Sequence, residues 1–159
     1  MVWNCIYSIQ TVPQEGSIEQ HLVQYKKHVD EQIPDINNSG LIIIDFESWR
    51  PIFRQNFGSL KPYKDLSIKI EQQNHPFWFR NINEAQVRLL CGVAYLSFTN
   101  YLLKAAKRFQ KSAKEIIEQT ILLSKHLRPN AKWGYYGFPY CFNKDTVDCS
   151  SEVKGENDR

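Results

Sequence analysis

The stretch that decides the fold is Leu41-Ile42-Ile43-Ile44-Asp45-Phe46-Glu47. It opens with four consecutive apolar residues, and such a run without polar alternation is typical of a parallel strand covered on both faces. A helix-forming segment precedes it from Ser17 to about Ile33, and residues 35–40 are of the types that favour a turn. Helix, short turn and buried strand together predict one αβ unit.

The helix before this strand has a start signal, a stop signal and an apolar face. Ser17 followed three residues later by Gln20 is a capping-box pattern, and Pro34 ends the helix. The residues predicted to share the buried face are Ile18, Leu22, Tyr25, Val29 and Ile33. The same helix carries two histidines, His21 and His28, which are one heptad apart, and we expect both at the surface.

A second αβ unit follows later in the chain. Residues 104–127 predict an amphipathic helix, and residues 132–136 predict a short strand after the break at 128–130. The helix positions spaced by alternating fours and threes are Phe109, Ala113, Ile116, Thr120, Leu123 and Leu127. Repeated αβ units predict an α/β fold with a parallel sheet. Residues 1–11 show no interpretable pattern, and residues 82–101 fit an inserted helix or strand.

Composition narrows the function classes only slightly. The 159 residues are 42% hydrophobic and carry a net charge of +3, which suits one packed domain and gives no argument for nucleic-acid binding. No run approaches the ~20 apolar residues of a membrane span, and residues 1–10 do not resemble a secretory signal. The four histidines lack the spacing of metal ligands.

Asp45 and Glu47 are the sharpest chemical feature. Side chains two apart on a strand point to the same face, and the carboxyl ends of parallel strands are where α/β active sites assemble. Crowding two acids there would favour keeping one protonated and able to donate, as glycoside hydrolysis requires. The pair is equally compatible with a metal site or with acids that begin a solvated loop.

The loop after these acids, residues 48–58, alternates aromatic rings with arginines and amides. Rings cover the apolar faces of sugars, and a guanidinium pairs with a uronic carboxylate. For Phe53 and Phe57 we expect local packing, whereas for Trp49 and Arg50 ligand contact and packing are both open. A second aromatic cluster, residues 133–140, ends the other predicted strand, where a tyrosine hydroxyl can stabilise a developing charge.

Residues 44–58 resemble the catalytic segment of glycoside hydrolase family 56, the hyaluronidases, and those of stinging-insect venoms in particular. The resemblance covers about residues 12–80 and 103–158. The further segments that carry it are 12–14, 32–35, 74–78, 106–109, 133–143 and 156–158.

The resemblance implies a (β/α) TIM-like barrel, of which this chain holds several βα units. We therefore expect one partial glycosidase barrel domain over residues 1–159, with 1–11 and 82–101 outside the family pattern. The implied activity is endo-hydrolysis of hyaluronan at N-acetylglucosamine β-1,4 linkages with retention, the substrate's acetamido oxygen acting as nucleophile. Glu47 would be the acid/base, while Asp45 and Tyr136 would orient and hold the acetamido group.

The family also implies binding and cellular properties. Arg50, Trp49 and Tyr135 would contact the sugar chain, with hyaluronan as partner and chondroitin as a second candidate. We expect a secreted monomer that needs no metal or cofactor. The resemblance implies a Cys141–Cys149 disulfide, although spacing alone leaves a disulfide and two free thiols equally open.

An alternative reading concerns length. A complete barrel takes roughly 250 residues, and this chain has 159. The chain could therefore be an inactive truncated fragment that keeps at most residual glycosaminoglycan binding.

Overall fold

The structure, a computed structural model, describes residues 2–4, 11–46, 48–76 and 90–136, with the backbone alone for 2–4 and 90–99. Three strands and three α-helices lie in these ranges. In chain order they are β1 (Val2–Asn4), α1 (Ile18–Gln32), β2 (Leu41–Asp45), α2 (Lys61–Asn74), α3 (Leu90–Leu127) and β3 (Lys132–Tyr135).

The strands form a parallel sheet in the order β1-β2-β3. Ile43 of β2 pairs with Val2 on one side and with Gly134 on the other. The predicted strands β2 and β3 and their parallel pairing are confirmed. The pattern-free segment 1–11 contributes β1, whose three residues are too short to show any periodicity.

The chain divides into two compact units. The first comprises residues 1–9, 17–48 and 116–159, and the second comprises residues 10–16 and 49–115. Among the described residues, the first unit holds the sheet, α1 and the last part of α3. The second holds α2 and the earlier part of α3.

In the first unit, β2 is packed on one face. Ile42 and Ile44 are buried, and Ile44 contacts Tyr25 and Val29 of α1 in the core. On the opposite face Leu41 is 58% exposed. Ile43 and Asp45 on that face are partly buried, so among the described residues the expected cover of β2 is confirmed for the core face only.

The predicted start and face of α1 are confirmed. The Ser17 hydroxyl accepts a hydrogen bond from the Gln20 N–H at 3.3 Å. It thereby satisfies one of the backbone N–H groups in the first turn that have no partner within the helix. Tyr25 and Val29 are buried as expected, and Ile33 closes the helix with its N–H bonded to the Val29 carbonyl.

A polar ladder joins α1 to α3 inside the first unit. His21 Nε2 lies 2.8 Å from Thr120 Oγ1, and the Tyr25 hydroxyl lies 2.6 Å from Ser124 Oγ. The four side chains are buried. The expected surface position of His21 is wrong, because a hydroxyl on the facing helix supplies the hydrogen bond that lets the imidazole leave water.

Arg128 closes the end of α1. Its side chain is 3% exposed, and its Nε donates to the Ile33 carbonyl at 2.7 Å. Nη2 also donates to Ile33 and lies 3.2 Å from Asp30 Oδ1. Lys26 above all, with Arg128, holds the pKa of Asp30 below its ordinary value. The guanidinium thus donates to the carbonyl of Ile33, which has no hydrogen-bond partner within the helix because it lies at the helix end.

In the second unit, α2 was not predicted from the sequence. Its buried residues are Ser67 and Glu71, so it has no apolar stripe for a periodicity argument to detect. The Ser67 hydroxyl donates to the Tyr63 carbonyl at 2.7 Å, and Glu71 accepts from Arg108 Nη1 at 2.6 Å. Internal partners therefore allow a helix to bury a polar face.

Helix α3 is longer than its pattern indicated. It begins at Leu90 rather than near Lys104, so part of segment 82–101 is helical. Tyr101, Ala105 and Phe109 are buried at four-residue intervals and continue the predicted stripe toward the N-terminus. Within the described ranges, no helix is long and apolar enough to cross a membrane.

Replacing Arg128 should destabilise the chain. Arg128→Ala leaves the Ile33 carbonyl without this donor, and hydrogen bonds to charged groups contribute about 1.5–3 kcal/mol. We expect the free energy of unfolding to fall by about 3 kcal/mol, and by less in Arg128→Lys, which keeps the charge but not the fork. Urea denaturation measures the loss, with exposed Lys125→Ala as control. Equal values for the two alanine variants would contradict the capping role.

Stability should also depend on pH through His21. Burial lowers the pKa of His21 below its ordinary value. Below about pH 6.5 the unfolded chain takes up a proton that the folded chain resists. The free energy of unfolding therefore decreases as the pH is lowered through that range. His21→Gln keeps an amide near Thr120 but does not titrate. Denaturation between about pH 7.5 and 5 should show a smaller acid loss in this variant than in the natural chain or in the exposed control His126→Gln. Three parallel curves would disprove the assignment.

Candidate active site

Asp45 and Tyr136 lie at the same edge of the sheet. Asp45 ends β2 and pairs with Asn4 of β1. The Tyr136 N–H donates to the Ile44 carbonyl at 2.8 Å, which places Tyr136 just past β3 at the level of Asp45. The Tyr136 side chain is 67% exposed, and Asp45 is partly buried. The structure thus brings these two predicted site residues to neighbouring strand ends.

Strand alternation assigns the two residues to the face of the sheet opposite the core of the first unit. Ile44 points into the core between α1 and α3, so Asp45 belongs to the opposite face, together with Ile43. Tyr136 alternates in the same way with Tyr135. A partly exposed carboxylate and an exposed phenol at the carboxyl ends of parallel strands form the arrangement in which α/β enzymes assemble their sites.

Tyr135 does not share that face. Its hydroxyl donates to the Ile117 carbonyl at 2.9 Å, and its ring packs against the core of the first unit. This placement favours a packing role over the sugar contact expected from the sequence.

Three predicted residues lie outside the described residues. They are Glu47, Cys141 and Cys149. The acid/base role of Glu47 and the disulfide therefore stay predictions.

The loop that follows β2 is organised by Asn56, which is fully buried. Its Oδ1 accepts from the Arg50 N–H at 2.8 Å, and its Nδ2 donates to the Arg50 carbonyl at 2.9 Å. Nδ2 also lies within hydrogen-bonding distance of the Ile52 and Phe53 carbonyls, at 3.1 and 3.3 Å. Sequence reasoning did not single out Asn56, because an asparagine in a loop carries no periodicity that would show its burial.

An aromatic cluster lies beneath this loop in the second unit. Trp49 is 1% exposed and meets Phe109 edge-on, with ring centroids 5.7 Å apart. Phe53 contacts the same ring at 5.4 Å, and its N–H donates to Gln110 Oε1 at 3.2 Å. The packing of Phe53 is confirmed. For Trp49, ligand contact and packing were both open, and its burial supports packing.

Arg50 and Phe57 form the outer part of the loop. The Arg50 guanidinium carbon lies 5.5 Å from the centroid of the Phe57 ring, within cation–π range. Phe57 is 48% exposed, so its expected burial is wrong. Gly58 follows with φ of +60°, a conformation that favours glycine and turns the chain toward α2.

Among the residues that the structure describes, no three His, Cys, Asp or Glu side chains cluster as a metal ion would require.

Known proteins resemble this chain in sequence and in fold. The model of the hyaluronidase family, glycoside hydrolase family 56, matches residues 7–158. Hyaluronidase B of Vespa velutina is 43% identical over 92% of this chain and 40% of that protein. Hyaluronidase Tab y 2.0101 of Tabanus yao is 45% identical over 97% of this chain and 40% of that protein. The crystal structure of bee venom hyaluronidase in complex with a hyaluronic acid tetramer has a TM-score of 0.75 and 38% identity, over 92% of this chain and 41% of that one.

This chain therefore belongs to the hyaluronidase family, glycoside hydrolase family 56. The family resemblance inferred from the sequence is confirmed. The chain spans about 40% of the length of the curated relatives it matches.

Removing the Trp49 ring should test its packing role. Trp49→Ala empties a site in contact with Phe109, and truncating a core aromatic residue costs about 3–5 kcal/mol of stability. Phe57→Ala, at a half-exposed ring in the same loop, should cost about 1 kcal/mol or less. Urea denaturation of both variants gives the comparison. A loss at Trp49 no larger than that at Phe57 would rule out the packing role.

Proposed function

We propose that this chain carries the acid/base part of the active site of a hyaluronan endo-hydrolase. The observation that carries the proposal is the position of Asp45 and Tyr136 at adjacent carboxyl ends of a parallel sheet. The hyaluronic acid tetramer in the related bee venom enzyme supports hyaluronan as the substrate. Glu47 follows Asp45 by two residues and would share its face if the extended backbone continues.

In the proposed first step, Glu47 protonates the glycosidic oxygen of an N-acetylglucosamine β-1,4 linkage. The acetamido oxygen of the same sugar attacks the anomeric carbon as the leaving group departs, which forms a cyclic intermediate. Positive charge develops on the acetamido nitrogen, and the Asp45 carboxylate stabilises it. The exposed Tyr136 hydroxyl holds the acetamido group by a hydrogen bond.

In the second step, Glu47 accepts a proton from water as the water attacks the anomeric carbon and opens the ring. Two inversions at that carbon give net retention. Because the substrate supplies the nucleophile, a single acid/base carboxyl group suffices, an exception that glycosidase chemistry allows.

Arg50 is proposed to bind a uronic acid carboxylate of the polymer. A guanidinium offers parallel N–H donors that match the two oxygens of a carboxylate. Trp49 and Tyr135, expected beforehand to touch the sugars, would support the site through packing. Chondroitin shares the uronic carboxylate and is a second candidate substrate.

The wider architecture proposed is that of a single TIM-like barrel domain, to which the three parallel strands contribute. In such a barrel, the face of β2 that carries the exposed Leu41 would line the interior, and further strands would pair with the sheet edges at β1 and β3. Secretion, a monomeric state and the Cys141–Cys149 disulfide belong to the same proposal, as properties that the family resemblance implies.

A second candidate function is hyaluronan binding without turnover. The observation that favours it is the contact of the Arg50 guanidinium with the Phe57 ring, which presents a cation suited to a uronic carboxylate and supplies no hydrolytic group itself. In that case the Arg50 loop would hold the polymer without cleaving it.

Reducing-end release from hyaluronan distinguishes the two candidates. The purified chain at mildly acid pH should release reducing ends, and Glu47→Gln should lower the rate at least about 100-fold, as loss of general acid–base catalysis does. Glu115→Gln, at an exposed helix position, is the matched control and should retain activity. Release that persists in Glu47→Gln would refute the assignment of Glu47. Absence of release from the natural chain, with hyaluronan binding intact, would favour the binding function.

A further inference from the structure

We infer that Asn56 and Phe57 are positioning residues that hold the Arg50 guanidinium ready for a uronic carboxylate. The inference rests on the proposed function, since it names the residues that prepare Arg50 for the substrate. It concerns contacts within the second unit only.

Asn56 fixes the backbone of Arg50 from both sides. One side-chain amide accepts from the Arg50 N–H at 2.8 Å and donates to the Arg50 carbonyl at 2.9 Å. Because Asn56 is 0% exposed, water does not compete for its amide. The two peptide planes that flank the Arg50 Cα are thereby held, and the direction in which its side chain leaves the loop is set.

The same amide also ties down the turn beyond Arg50. Asn56 Nδ2 lies 3.1 Å from the Ile52 carbonyl and 3.3 Å from the Phe53 carbonyl. Phe53 is itself anchored by Gln110 of α3, which accepts from its N–H at 3.2 Å. Asn56 thus connects Arg50 to a turn that is anchored on α3.

Phe57 then fixes the end of the side chain. Its ring lies 5.5 Å from the Arg50 guanidinium carbon, and it follows Asn56 directly in sequence. A ring stacked on a guanidinium covers its face and leaves the in-plane N–H groups directed sideways, where a carboxylate binds. Backbone and side-chain tip of Arg50 are therefore held by two consecutive residues.

Such positioning reduces the conformational entropy that the Arg50 side chain loses when substrate binds. An arginine side chain has large rotamer freedom, and holding it beforehand in the binding conformation raises affinity. A contact of the cation–π kind at an exposed site corresponds to about a 3-fold change in Kd. Because Phe57 is half exposed, its ring can be removed with little effect on folding.

The test uses the natural chain labelled with ¹⁵N, the variants Phe57→Leu, Phe57→Tyr and Asn56→Ala, and a defined hyaluronan oligosaccharide as probe. The Arg50 Nε–Hε resonance, assigned by its loss in Arg50→Lys, reports stacking through the ring-current shift. We expect the shift in the natural chain and in Phe57→Tyr, and its loss in Phe57→Leu and in Asn56→Ala. Thermal unfolding checks that each variant is folded, and Phe57→Leu keeps the test decisive if Asn56→Ala is not.

Oligosaccharide binding is measured on the same samples. Phe57→Leu should raise Kd about 3-fold, and Phe57→Tyr should restore it. If the chain hydrolyses hyaluronan, KM should rise while kcat is unchanged, because uniform binding is lost and the chemical step is not. A merely structural role for Phe57 would lower stability without raising KM at an unchanged kcat.

The outcomes separate the two proposals. An Arg50 resonance that is identical in the natural chain and in Phe57→Leu overturns the positioning by Phe57, whatever the oligosaccharide does. A lost ring-current shift with an unchanged Kd overturns its importance for binding. A ring-current shift that depends on Phe57, in a chain that does not bind the oligosaccharide at all, supports the held geometry of Arg50 and counts against the proposed function instead.

Discussion

The buried guanidinium of Arg128 is the interaction on which the first unit depends. Its side chain binds the carbonyl of Ile33 at the end of α1, while its own backbone carbonyl accepts from the Trp133 indole at 3.2 Å. Directly afterwards, the Lys132 N–H donates to the Gly40 carbonyl at 3.0 Å and begins the pairing of β3 with β2. One residue therefore terminates a helix and sets the level at which two strands start. The parallel register set there continues along both strands, so Tyr136 lies at the level of Asp45.

The polar ladder between α1 and α3 supplies the second constraint. His21 with Thr120 and Tyr25 with Ser124 repeat at four-residue intervals on both helices. A shift of one helix along the other would leave buried polar groups without these partners, and each such group costs about 1–3 kcal/mol. An apolar contact alone tolerates sliding, whereas paired hydrogen bonds select one register. The ladder therefore positions the helices that cover one face of the strands at whose ends Asp45 and Tyr136 lie.

In the loop after β2, only the structure shows which aromatic rings are buried. Trp49 was considered for sugar contact and is buried, whereas Phe57 was expected in the core and is 48% exposed beside Arg50. The residue types are equally compatible with both arrangements, since an aromatic ring is suited to a core and to a sugar face alike. The choice is made by Phe109 on α3, which provides a partner for Trp49 and lies more than fifty residues away along the chain.

The sequence by itself determined the elements whose signals are local. The Ser17 cap, the apolar run of β2 and the helical spacing of Phe109, Ala113 and Ile116 follow from interactions between residues close together in sequence. Only the tertiary structure decided the features whose partners are distant in sequence. These are the burial of His21, the pairing of Glu71 on α2 with Arg108, and the hydrogen bonds of Arg128. A polar side chain leaves water only when a partner is available, and that partner exists only once the chain has folded.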